Sequence, residues 1–495
     1  MCRLSKKESP SWWVCLIPVG VLVVLMALVI RFFGADALSG GSQVALIAAT
    51  GVAIAIATAF YGCPWERMDD AINDNIRSIG SSIMILLMIG TISGSWMVSG
   101  IVPAFICYGL KIISPTVFLF TVCIICALIS VVTGSSWTTI ATIGVAMVAI
   151  GSALGYSPAW TAGAIISGAY FGDKMSPLSD TTVLASSCAG TPLFTHIRYM
   201  MVTTIPSFAI TLTVFLVVSI CHDAPDASQT DNMINVLSGR FNITPWVFVV
   251  PVLTCIMIAK KIPALLTLLI SSLMAGILAL IAQPDLVAGI GGGQTLDFTS
   301  GFKGTMVTYF GDTCIDCGDA DLNELIATHG MYGMLATIFL IICASSFGGV
   351  LTGSGMIQSL TEKLTSSVRS RTGLVASTVG TGIFGNMTCG DQYLSIILTC
   401  SIFKKLYGDL GYEARLLSRS TEDSSTVTSV LVPWTACGMT QSTVLHIPTL
   451  EYLPYCFFNL ISPLMTIFIA AIGYKIFRNG DGDARGPLKT ASQEK

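Results

Sequence analysis

The stretch Gly172-Asp-Lys-Met-Ser-Pro-Leu-Ser-Asp-Thr-Thr182 interrupts a chain that is otherwise strongly apolar. It carries two carboxylates, a lysine and four hydroxyls between apolar runs on both sides. Pro177 cannot continue a helix, because its ring removes a backbone donor and clashes with the preceding turn. The stretch therefore predicts a helix that is broken at a polar point.

The composition around this stretch identifies the class of protein. Of the 495 residues, 53% are hydrophobic and only 11% are charged, whereas about 25% are charged in a typical soluble chain. A helical crossing needs about 20 apolar residues, so the chain holds roughly ten to twelve crossings or part-crossings. We therefore predict an all-α polytopic membrane protein.

Several function classes are excluded by what the sequence lacks. The net charge of -3 includes no basic block, so nucleic acid is not an expected partner. No His-x-x-x-His metal pair and no Gly-x-Ser-x-Gly nucleophile elbow occurs, so we expect neither an enzyme nor a cofactor. The 16 cysteines lie mostly in apolar runs and are interpreted as small hydrophobic residues, with Cys314 and Cys317 as the one candidate pair.

Lys and Arg in short loops predict the orientation, because they are enriched on the cytoplasmic side. If crossings alternate, one side collects Arg67, Arg77, Lys260, Lys261, Lys363, Arg369, Arg371, Lys475 and Arg478. Both termini are then cytoplasmic in a cell (inner) membrane, and residues 222–240 and 283–329 lie outside. The apolar run from Trp12 to Phe33 is the expected first crossing, although Ala35-Asp36-Ala37 leaves removal of this segment as an alternative. The acidic second loop is interpreted as solvated rather than as a calcium site.

The chain also matches itself weakly at a nearly fixed offset. Ser99-Gly100 matches Ser354-Gly355 at 255, Gly134 to Trp137 matches Gly390 to Tyr393 at 256, and Leu154-Gly155-Tyr156 recurs as Leu410-Gly411-Tyr412 at 256. A last match pairs Ser179 to Thr182 with Glu422 to Ser425 at 243, which requires 13 extra residues in the first copy. Such self-similarity predicts an internal repeat.

The charge pattern predicts that the two copies have inverted topology, since the first copy leaves the Arg77 side and the second arrives at Lys363. The expected organisation is N-terminal scaffold helices at 1–77, repeat 1 at 78–221, connecting scaffold helices and an external loop at 222–330, repeat 2 at 331–477 and a cytoplasmic tail at 478–495. Inverted repeats of this kind bind substrate and coupling ion near the bilayer midplane, where helices are interrupted.

Four polar segments break the apolar pattern: residues 133–139, 172–182, 385–391 and 418–426. Na+ is a hard ion, and unwound carbonyls, hydroxyls and a carboxylate are suitable oxygen ligands for it. The candidate ligands are Ser135, Ser136, Thr138, Asp180, Thr181, Thr182, Asn386, Asp391, Glu422, Asp423, Ser424 and Thr426.

The carboxyl groups among these candidates are the stronger functional signals, because an ionisable group inside a membrane is costly. The alternative for Glu422 and Asp423 is a pair of surface ion pairs with Arg415 and Arg419. Asp173 is equally compatible with a site and with a local ion pair to Lys174.

For the individual hydroxyl residues, a bond to a neighbouring helix is as good an explanation as ligation. His196 and His446 are interpreted as membrane-edge residues at the ends of the polar stretches.

The stretch 172–182, with Thr133-Gly-Ser-Ser-Trp-Thr-Thr139 before it and residues 419–438 after it, resembles the NhaC family of sodium/proton antiporters. The resemblance spans about residues 78–460. It implies re-entrant hairpins, a scaffold domain that dimerises and an elevator-type transport domain. It also implies hairpin tips at Ser135/Ser136 and Asn386/Asp391, with residues 180–182 and 423–426 on the facing broken helices. The second tip departs from the first, since Gln392-Tyr393 is bulkier and more polar than Ser136-Trp137.

The leading hypothesis is a secondary transporter that exchanges Na+ for H+, with Asp180 and Asp423 as coupling residues and Asp391 as third candidate. A buried carboxyl can hold either ion, because burial favours its protonated form. The alternative is a Na+-coupled carrier of an organic anion or amino acid, similar to malate/lactate antiporters. A channel is disfavoured, because channel filters are typically built from rings contributed by several subunits.

Overall fold

The computed structural model describes residues 10–33, 40–112, 114–221, 227–260, 262–313, 315–318, 323, 326–360, 368, 370–478 and 481–483. Helices account for nearly all regular structure in these ranges. A short antiparallel ribbon pairs β1 (Phe477–Arg478) with β2 (Asp481–Asp483). The prediction of an all-helical protein is thus confirmed for the described core.

The helices of the first half are α1 (Trp12–Phe33), α2 (Gly41–Tyr61), α3 (Trp65–Ser78), α4 (Gly80–Val98), α5 (Ile101–Ile112), α6 (Phe118–Thr133), α7 (Ser136–Thr139), α8 (Val145–Ala153), α9 (Pro158–Met175), α10 (Asp180–Ala189) and α11 (Leu193–Cys221). A π-helical segment, Ile140–Gly144, connects α7 to α8, and a 3-10 turn, Pro115–Val117, precedes α6.

The helices of the second half are α12 (Ala227–Arg240), α13 (Val249–Ala259), α14 (Ala264–Ala282), α15 (Pro284–Ile290), α16 (Phe298–Phe310), α17 (Gly330–Gly333), α18 (Leu335–Gly353), α19 (Arg371–Cys389), α20 (Gln392–Asp409), α21 (Ala414–Thr421), α22 (Ala436–Leu445), α23 (Thr449–Tyr452) and α24 (Phe457–Ile472). A π-helical segment, Glu422–Thr426, extends α21, and 3-10 turns lie at Pro245–Phe248, Ser429–Leu431 and Leu453–Tyr455.

Many of these helices are long and apolar enough to cross a membrane. Among the described residues, seven pass that test singly, and the number reaches ten if each sharply bent pair is one crossing. One such pair is α4 with α5, bent by 66° at Gly100, whose φ is +83°.

The backbone repeats local features at an almost constant spacing. Left-handed residues occur in pairs at Gly100 and Gly355, Gly134 and Gly390, Gly155 and Gly411, and Gly190 and His446. The first pair is 255 residues apart and the others are 256 apart. The offsets of 255 and 256 expected from the sequence thus coincide with equivalent turns.

The last sequence match, which paired Ser179 to Thr182 with Glu422 to Ser425 at an offset of 243, is wrong. Ser179 and Thr435, again 256 residues apart, each cap the following helix by accepting a hydrogen bond from the N–H three residues later. Asp180 therefore corresponds to Ala436, and Asp180 and Asp423 are not equivalent positions. Chance similarity between two short Ser/Thr-rich stretches caused the error.

Two pairs of helices form hairpins, each with a left-handed glycine at its tip. The first is α6 with α7, and its tip at Gly134 is so close to Leu178 that a Cβ at Gly134 would lie 2.8 Å from the Leu178 backbone. The second is α19 with α20, and the Gly390 carbonyl at its tip accepts a hydrogen bond of 2.8 Å from the Ala436 N–H. Each tip therefore contacts the helix break that follows it in the chain.

Close packing holds α6 against α9. The Ser130 hydroxyl donates to the Ala169 carbonyl at 2.6 Å, and a Cβ at Gly168 would lie 2.2 Å from the Cys123 carbonyl oxygen. Small residues let two membrane helices approach to this distance. This contact fixes the first hairpin relative to the α9 break.

Candidate functional site

The break after α9 is the centre of the candidate site. The Ser179 side chain accepts the Thr182 N–H and begins α10. The Thr182 hydroxyl donates to the Lys174 carbonyl at 3.2 Å, so a carbonyl freed by the break is satisfied within the protein. This arrangement confirms the helix break that Pro177 predicted.

The tip of the first hairpin binds this break through one carboxylate. The Ser136 hydroxyl donates to Asp173 Oδ2 at 2.7 Å, and the Ser136 N–H reaches the same oxygen at 3.2 Å. Asp173 is only 5% exposed. The Ser135 hydroxyl oxygen accepts the N–H of Thr138 at 3.2 Å, which caps α7.

A cavity of about 260 Å³ lies where these elements meet. The first hairpin contributes Thr133, Ser135, Trp137 and Thr138, and the α9 break contributes Asp173, Leu178, Asp180 and Thr181. Gln392 and Tyr393 of the second hairpin tip line the same cavity, so both tips converge on it. Ile258 of α13, Ile262 and Pro263 of the connection and Thr267 of α14 also line it, so this part of the lining is mostly apolar.

Asp180 also lines this cavity and is an exposed residue. No described residue donates a hydrogen bond to its carboxylate or forms an ion pair with it. Tyr393 and Asp173 line the same cavity, so Asp180 shares it with one aromatic hydroxyl and one further carboxyl group.

The interpretation of Asp173 and Lys174 as a local ion pair is wrong. Lys174 instead pairs with Asp423, and both side chains are fully buried. Neighbours in a helix point about 100° apart, so these two side chains reach different surroundings. Asp173 faces the first hairpin tip and Lys174 faces α21 and α24.

Asp423 is held by three side chains. Lys174 Nζ and the Ser462 hydroxyl both donate to Oδ1, the latter at 2.8 Å. The Thr203 hydroxyl donates to Oδ2 at 2.8 Å. The alternative of surface ion pairs for Glu422 and Asp423 is excluded, because both residues have no exposure.

Glu422 differs from Asp423 in having no partner. Its carboxyl interacts electrostatically with Lys174 and Asp173, and the hydroxyls of Thr426 and Thr181 approach it. Neither of its oxygens has a well-formed hydrogen bond to a described residue. A π-helical segment such as Glu422–Thr426 frequently marks a functional site, and here it contains a fully buried carboxyl group.

The remaining candidates of the second half are buried away from the cavity lining. Asn386 donates to the Ser425 carbonyl at 2.7 Å and to the Thr428 hydroxyl at 3.0 Å. Asp391 caps α20 by accepting the N–H groups of Tyr393 and Leu394. The Ser424 hydroxyl donates to the Ser420 carbonyl one turn earlier at 2.8 Å. This bond within the protein is the alternative to ion ligation for a hydroxyl residue.

The two histidines differ in exposure. His196 is fully buried, and its Nδ1 contacts the Ser418 hydroxyl at 2.8 Å. His446 is exposed at the end of α22. Cys314, Lys261, Lys363 and Arg369 lie outside the described residues, and so do residues 222–226 and 484–495.

The described part of the acidic loop is held by hydrogen bonds. Asp316 accepts the Gly318 N–H and the Asn323 amide, and these bonds hold the pKa of its carboxyl below the usual value. His329 Nδ1 contacts Asp312 Oδ1 at 2.6 Å. Among the described residues no group of three metal-ligating side chains is found, and Asp319 and Asp321 lie outside them.

The sequence reasoning missed residues that help to build the site. The sequence does not decide between a site and an ion pair for Asp173 and Lys174, and it marks Tyr393 only as a bulky residue. Arg419 is fully buried and none of its nitrogens has a hydrogen-bond partner among the described residues, while its guanidinium lies 4.4 Å from the centre of the Tyr199 ring. For Asp173, Lys174 and Arg419 the available signal is the cost of burying charge in an apolar chain.

Comparison with known proteins identifies the family. The model of the Na+/H+ antiporter family matches residues 10–191 and 168–474. The chain belongs to this family. It is also 35% identical over 424 residues to the Na(+)/H(+) antiporter NhaC of Bacillus subtilis (strain 168), covering 85% of this chain and 90% of that protein.

Two further relatives are similar to this Na+/H+ antiporter family member. The Na(+)/H(+) antiporter NhaC of Alkalihalophilus pseudofirmus is 36% identical over 409 residues, which cover 83% of this chain and 86% of that protein. The malate-2H(+)/Na(+)-lactate antiporter of Bacillus subtilis is 32% identical over 455 residues, which cover 92% and 93%. The expected resemblance to NhaC is thus confirmed, and this member of the family is a multi-pass membrane protein.

Proposed function

We propose that this protein is a secondary active transporter that exchanges Na+ for H+ across the membrane. The observation that carries the proposal is the cavity, where the buried Asp173 and the unpartnered Asp180 meet a set of hydroxyl groups. Family membership supports the same function.

Sodium binding is assigned to the first hairpin tip and the α9 break. Na+ prefers several oxygen ligands, and Asp173, Asp180, Ser135, Thr138 and Thr181 supply carboxylate and hydroxyl oxygens around the cavity. Ser136 and Thr182 support these ligands. The Ser136 hydroxyl orients Asp173, and the Thr182 hydroxyl bonds to the Lys174 carbonyl at the helix break. The candidates Asn386, Asp391, Glu422, Asp423, Ser424 and Thr426 form the second, buried part of the proposed site.

Proton coupling is assigned to Asp173 and Glu422 acting together. The two carboxyls and Lys174 interact electrostatically in a buried region. Two like charges in such a place are unfavourable unless a cation compensates one of them. Arrival of Na+ at Asp173 stabilises negative charge on Glu422, so Glu422 gives up its proton, and a returning proton weakens the binding of Na+.

The charge balance of the region supports cation binding. Asp173, Asp391, Glu422 and Asp423 are four buried carboxyl groups, whereas Lys174 and Arg419 are the two buried Lys or Arg side chains among the described residues. Buried charges are tolerated only when they are compensated. The excess of carboxyl groups therefore favours occupation by Na+ or H+.

The role expected for Asp423 changes accordingly. Its oxygens already accept hydrogen bonds from Lys174, Ser462 and Thr203, and Na+ would have to displace those donors. Asp423 is therefore proposed to anchor Lys174, and Asp391 remains a third coupling candidate.

The arrangement of the whole molecule is proposed as follows. Residues 78–221 and 331–477 form two inverted repeats, supported by the turns that recur at 255 and 256 residues. The repeats form an elevator-type transport domain, and the helices outside them form the scaffold of a homodimer. Both termini are cytoplasmic in the cell membrane, supported by the Lys/Arg distribution.

A Na+-coupled carrier of an organic anion or amino acid is the second candidate. The cavity is larger than a dehydrated Na+ requires, which favours a solute. The Asp173 and Asp180 carboxylates disfavour an anion in this cavity. Membership in the family and the two NhaC relatives make exchange of Na+ for H+ the better-supported function.

Purified protein in liposomes that enclose a pH-sensitive dye tests the proposal. An inward Na+ gradient should drive protons out and raise the internal pH, while choline should not. The signal should vanish when monensin, a Na+/H+ ionophore, has collapsed the gradients. Na+ uptake without proton movement would reject the exchange of Na+ for H+.

A further inference from the structure

We propose that His329 and His446 form a binding site for a divalent transition-metal ion that prefers imidazole ligands, such as Zn2+ or Ni2+. Neither histidine lines the cavity, so this is a separate site. Its ligands are two imidazoles and water molecules. A site with two protein ligands agrees with the finding that no group of three metal-ligating side chains occurs among the described residues.

The backbone near the end of the acidic loop holds His329 against a carboxylate. The Thr313 N–H donates to the Thr328 carbonyl at 2.8 Å, and the two threonine hydroxyls share a hydrogen bond of 2.5 Å. Asp312 and His329 are the chain neighbours of these threonines, and His329 Nδ1 lies 2.6 Å from Asp312 Oδ1. The first imidazole of the site is therefore held in place.

The same contact decides which nitrogen of His329 binds the metal. The carboxylate accepts the hydrogen of Nδ1, so the lone pair of the neutral ring lies on Nε2. Metal-ligating histidines almost always donate their other N–H to such a partner, which fixes the ring and raises its basicity. The His329 side chain is 53% exposed, so an ion reaches it from water.

The second imidazole is within reach of the same ion. The ring centres of His329 and His446 are 6.3 Å apart. A metal–nitrogen bond of about 2.1 Å places the ion roughly 3.2 Å from each ring centre, so two rings on one ion are roughly 4.5 to 6.4 Å apart. The observed separation is at the wide end of this range. Both residues are exposed, and a small rotation of either side chain shortens it.

The backbone at His446 is an independent indication. His446 ends α22 with a φ of +56°, whereas the equivalent turn 256 residues earlier has Gly190. A left-handed conformation costs a residue other than glycine about 1 to 2 kcal/mol. Strain of this kind persists where the surrounding structure enforces it and is frequent at functional sites. A role of the imidazole in binding explains why this turn carries a side chain.

A bound ion should affect transport, because it joins two parts of the chain. His329 lies in the connecting region 222–330, whereas His446 ends α22 in repeat 2. This helix begins at Ala436, whose N–H bonds to the tip of the second hairpin. If the repeats move as an elevator, the ion holds α22 against the loop. This inhibition rests on the proposed function, whereas the binding of the metal does not.

Thermal unfolding of the detergent-solubilised full chain, purified without a histidine tag, measures binding. Ni2+ is the probe, because Zn2+ also binds the thiols of exposed cysteines such as Cys221 and Cys255. At about pH 8, where an ordinary imidazole is neutral, Ni2+ should raise the unfolding temperature by about 2 °C or more. Mg2+ prefers oxygen ligands and should not raise it.

Substitutions of the two histidines decide the location of the metal. His329→Asn and His446→Asn should each weaken binding of Ni2+ at least about tenfold. His446→Gly relieves the left-handed backbone, so without metal it should unfold at the same or a higher temperature, yet it should lose the response to Ni2+.

Two carboxylate substitutions complete the series. Asp312→Asn keeps both imidazoles and should weaken binding by about tenfold, through loss of the partner of Nδ1. Asp70→Asn, an exposed carboxylate on α3, should not change binding. No stabilisation by Ni2+, or equal stabilisation of the unmodified protein and the histidine variants, would overturn the proposal.

Flux in proteoliposomes tests the effect on transport. Ni2+ on both sides should inhibit Na+-driven proton flux, and His446→Asn should require at least about tenfold more Ni2+ for the same inhibition. Inhibition that is equal in both proteins, or its absence although Ni2+ stabilises the protein, rejects the effect on transport. If Na+ drives no proton flux without metal, the proposed function fails, while the unfolding measurement still decides on the metal site.

Discussion

Lys174 and Asp423 form an ion pair between two fully buried side chains that lie 249 residues apart in the chain. The pair joins α9 to the π-helical segment after α21, and Thr203 of α11 and Ser462 of α24 complete the shell of Asp423. Four elements are therefore connected at one carboxylate. Lys174 is adjacent in the chain to Asp173, and Asp423 is adjacent to Glu422. The ion pair therefore lies beside the two carboxyl groups that are proposed to exchange cations, but is not itself proposed to exchange them.

Removing one member of this pair should destabilise the protein strongly. Lys174→Met or Asp423→Asn alone should each cost about 3 to 5 kcal/mol, because a buried charge or its donors lose their partner. The double variant should cost clearly less than the sum of the two single variants. Thermal unfolding in detergent measures this, with Asp70→Asn as the control. Additive losses would show that the two side chains do not interact.

The hydroxyl of Ser136 should tune the affinity for Na+. Ser136→Ala removes a hydrogen bond to Asp173 but keeps the one from the backbone N–H. The apparent KM for Na+ should change by roughly three- to tenfold, with a smaller change in maximal rate. Ser346→Ala is the matched control, because Ser346 bonds only to the carbonyl of Ile342. Equal effects of the two substitutions would contradict a positioning role of Ser136.

The tip of the first hairpin should not tolerate a side chain. Gly134 has a φ of +68°, and a Cβ there would lie 2.7 Å from Leu178 Cβ. Gly62 has a similar φ of +59° with nothing within 4 Å. Gly62→Ala should cost about 1 to 2 kcal/mol, the strain of a left-handed residue, whereas Gly134→Ala should cost more and also slow Na+ transport. Thermal unfolding and proteoliposome flux distinguish the two, and equal costs would exclude the proposed close contact.

The broken helix and the hairpin tips could be predicted from the sequence, because their signals are local. Pro177 with its neighbouring hydroxyls marks the break, and Gly134 and Gly390 mark turns that only a left-handed residue allows. The offset of 256 was also readable from Leu-Gly-Tyr at two places in the chain.

The partners of the buried charges could not be predicted, because they depend on packing between distant helices. Lys174 stands beside Asp173 in the sequence but contacts Asp423 across the repeat boundary. The equivalence of Asp180 and Asp423 rested on similar letters, and the helix caps at Ser179 and Thr435 contradict it. A match between letters of one sequence does not show which residues cap a helix in the folded chain.

The inverted topology that we propose makes a prediction for the two Leu-Gly-Tyr turns. Ser157 follows the first turn and Asp409 precedes the second, and both are exposed. Ser157→Cys and Asp409→Cys should react with an impermeant thiol reagent from opposite sides of the membrane. The unmodified protein corrects for native cysteines. Labelling of both positions from the same side would reject the inverted arrangement.

Competition between Na+ and H+ makes a prediction for the pH dependence. Raising the pH lowers the occupancy of the carboxyl groups by protons, so the apparent KM for Na+ should fall. With one competing proton, the fall is at most about tenfold per pH unit. Initial rates of Na+-driven flux over a pH series measure it. An apparent KM that is independent of pH would contradict competition at a shared site.

The most direct test of the exchange site is Asp173→Asn, measured as Na+-driven proton flux in proteoliposomes over a pH series. The amide keeps a hydrogen-bond acceptor for Ser136 but neither titrates nor offers a negative charge to Na+. The account predicts that exchange is lost at every pH, while Asp70→Asn remains active and both variants elute as folded protein. Unchanged KM and pH dependence in Asp173→Asn would contradict it.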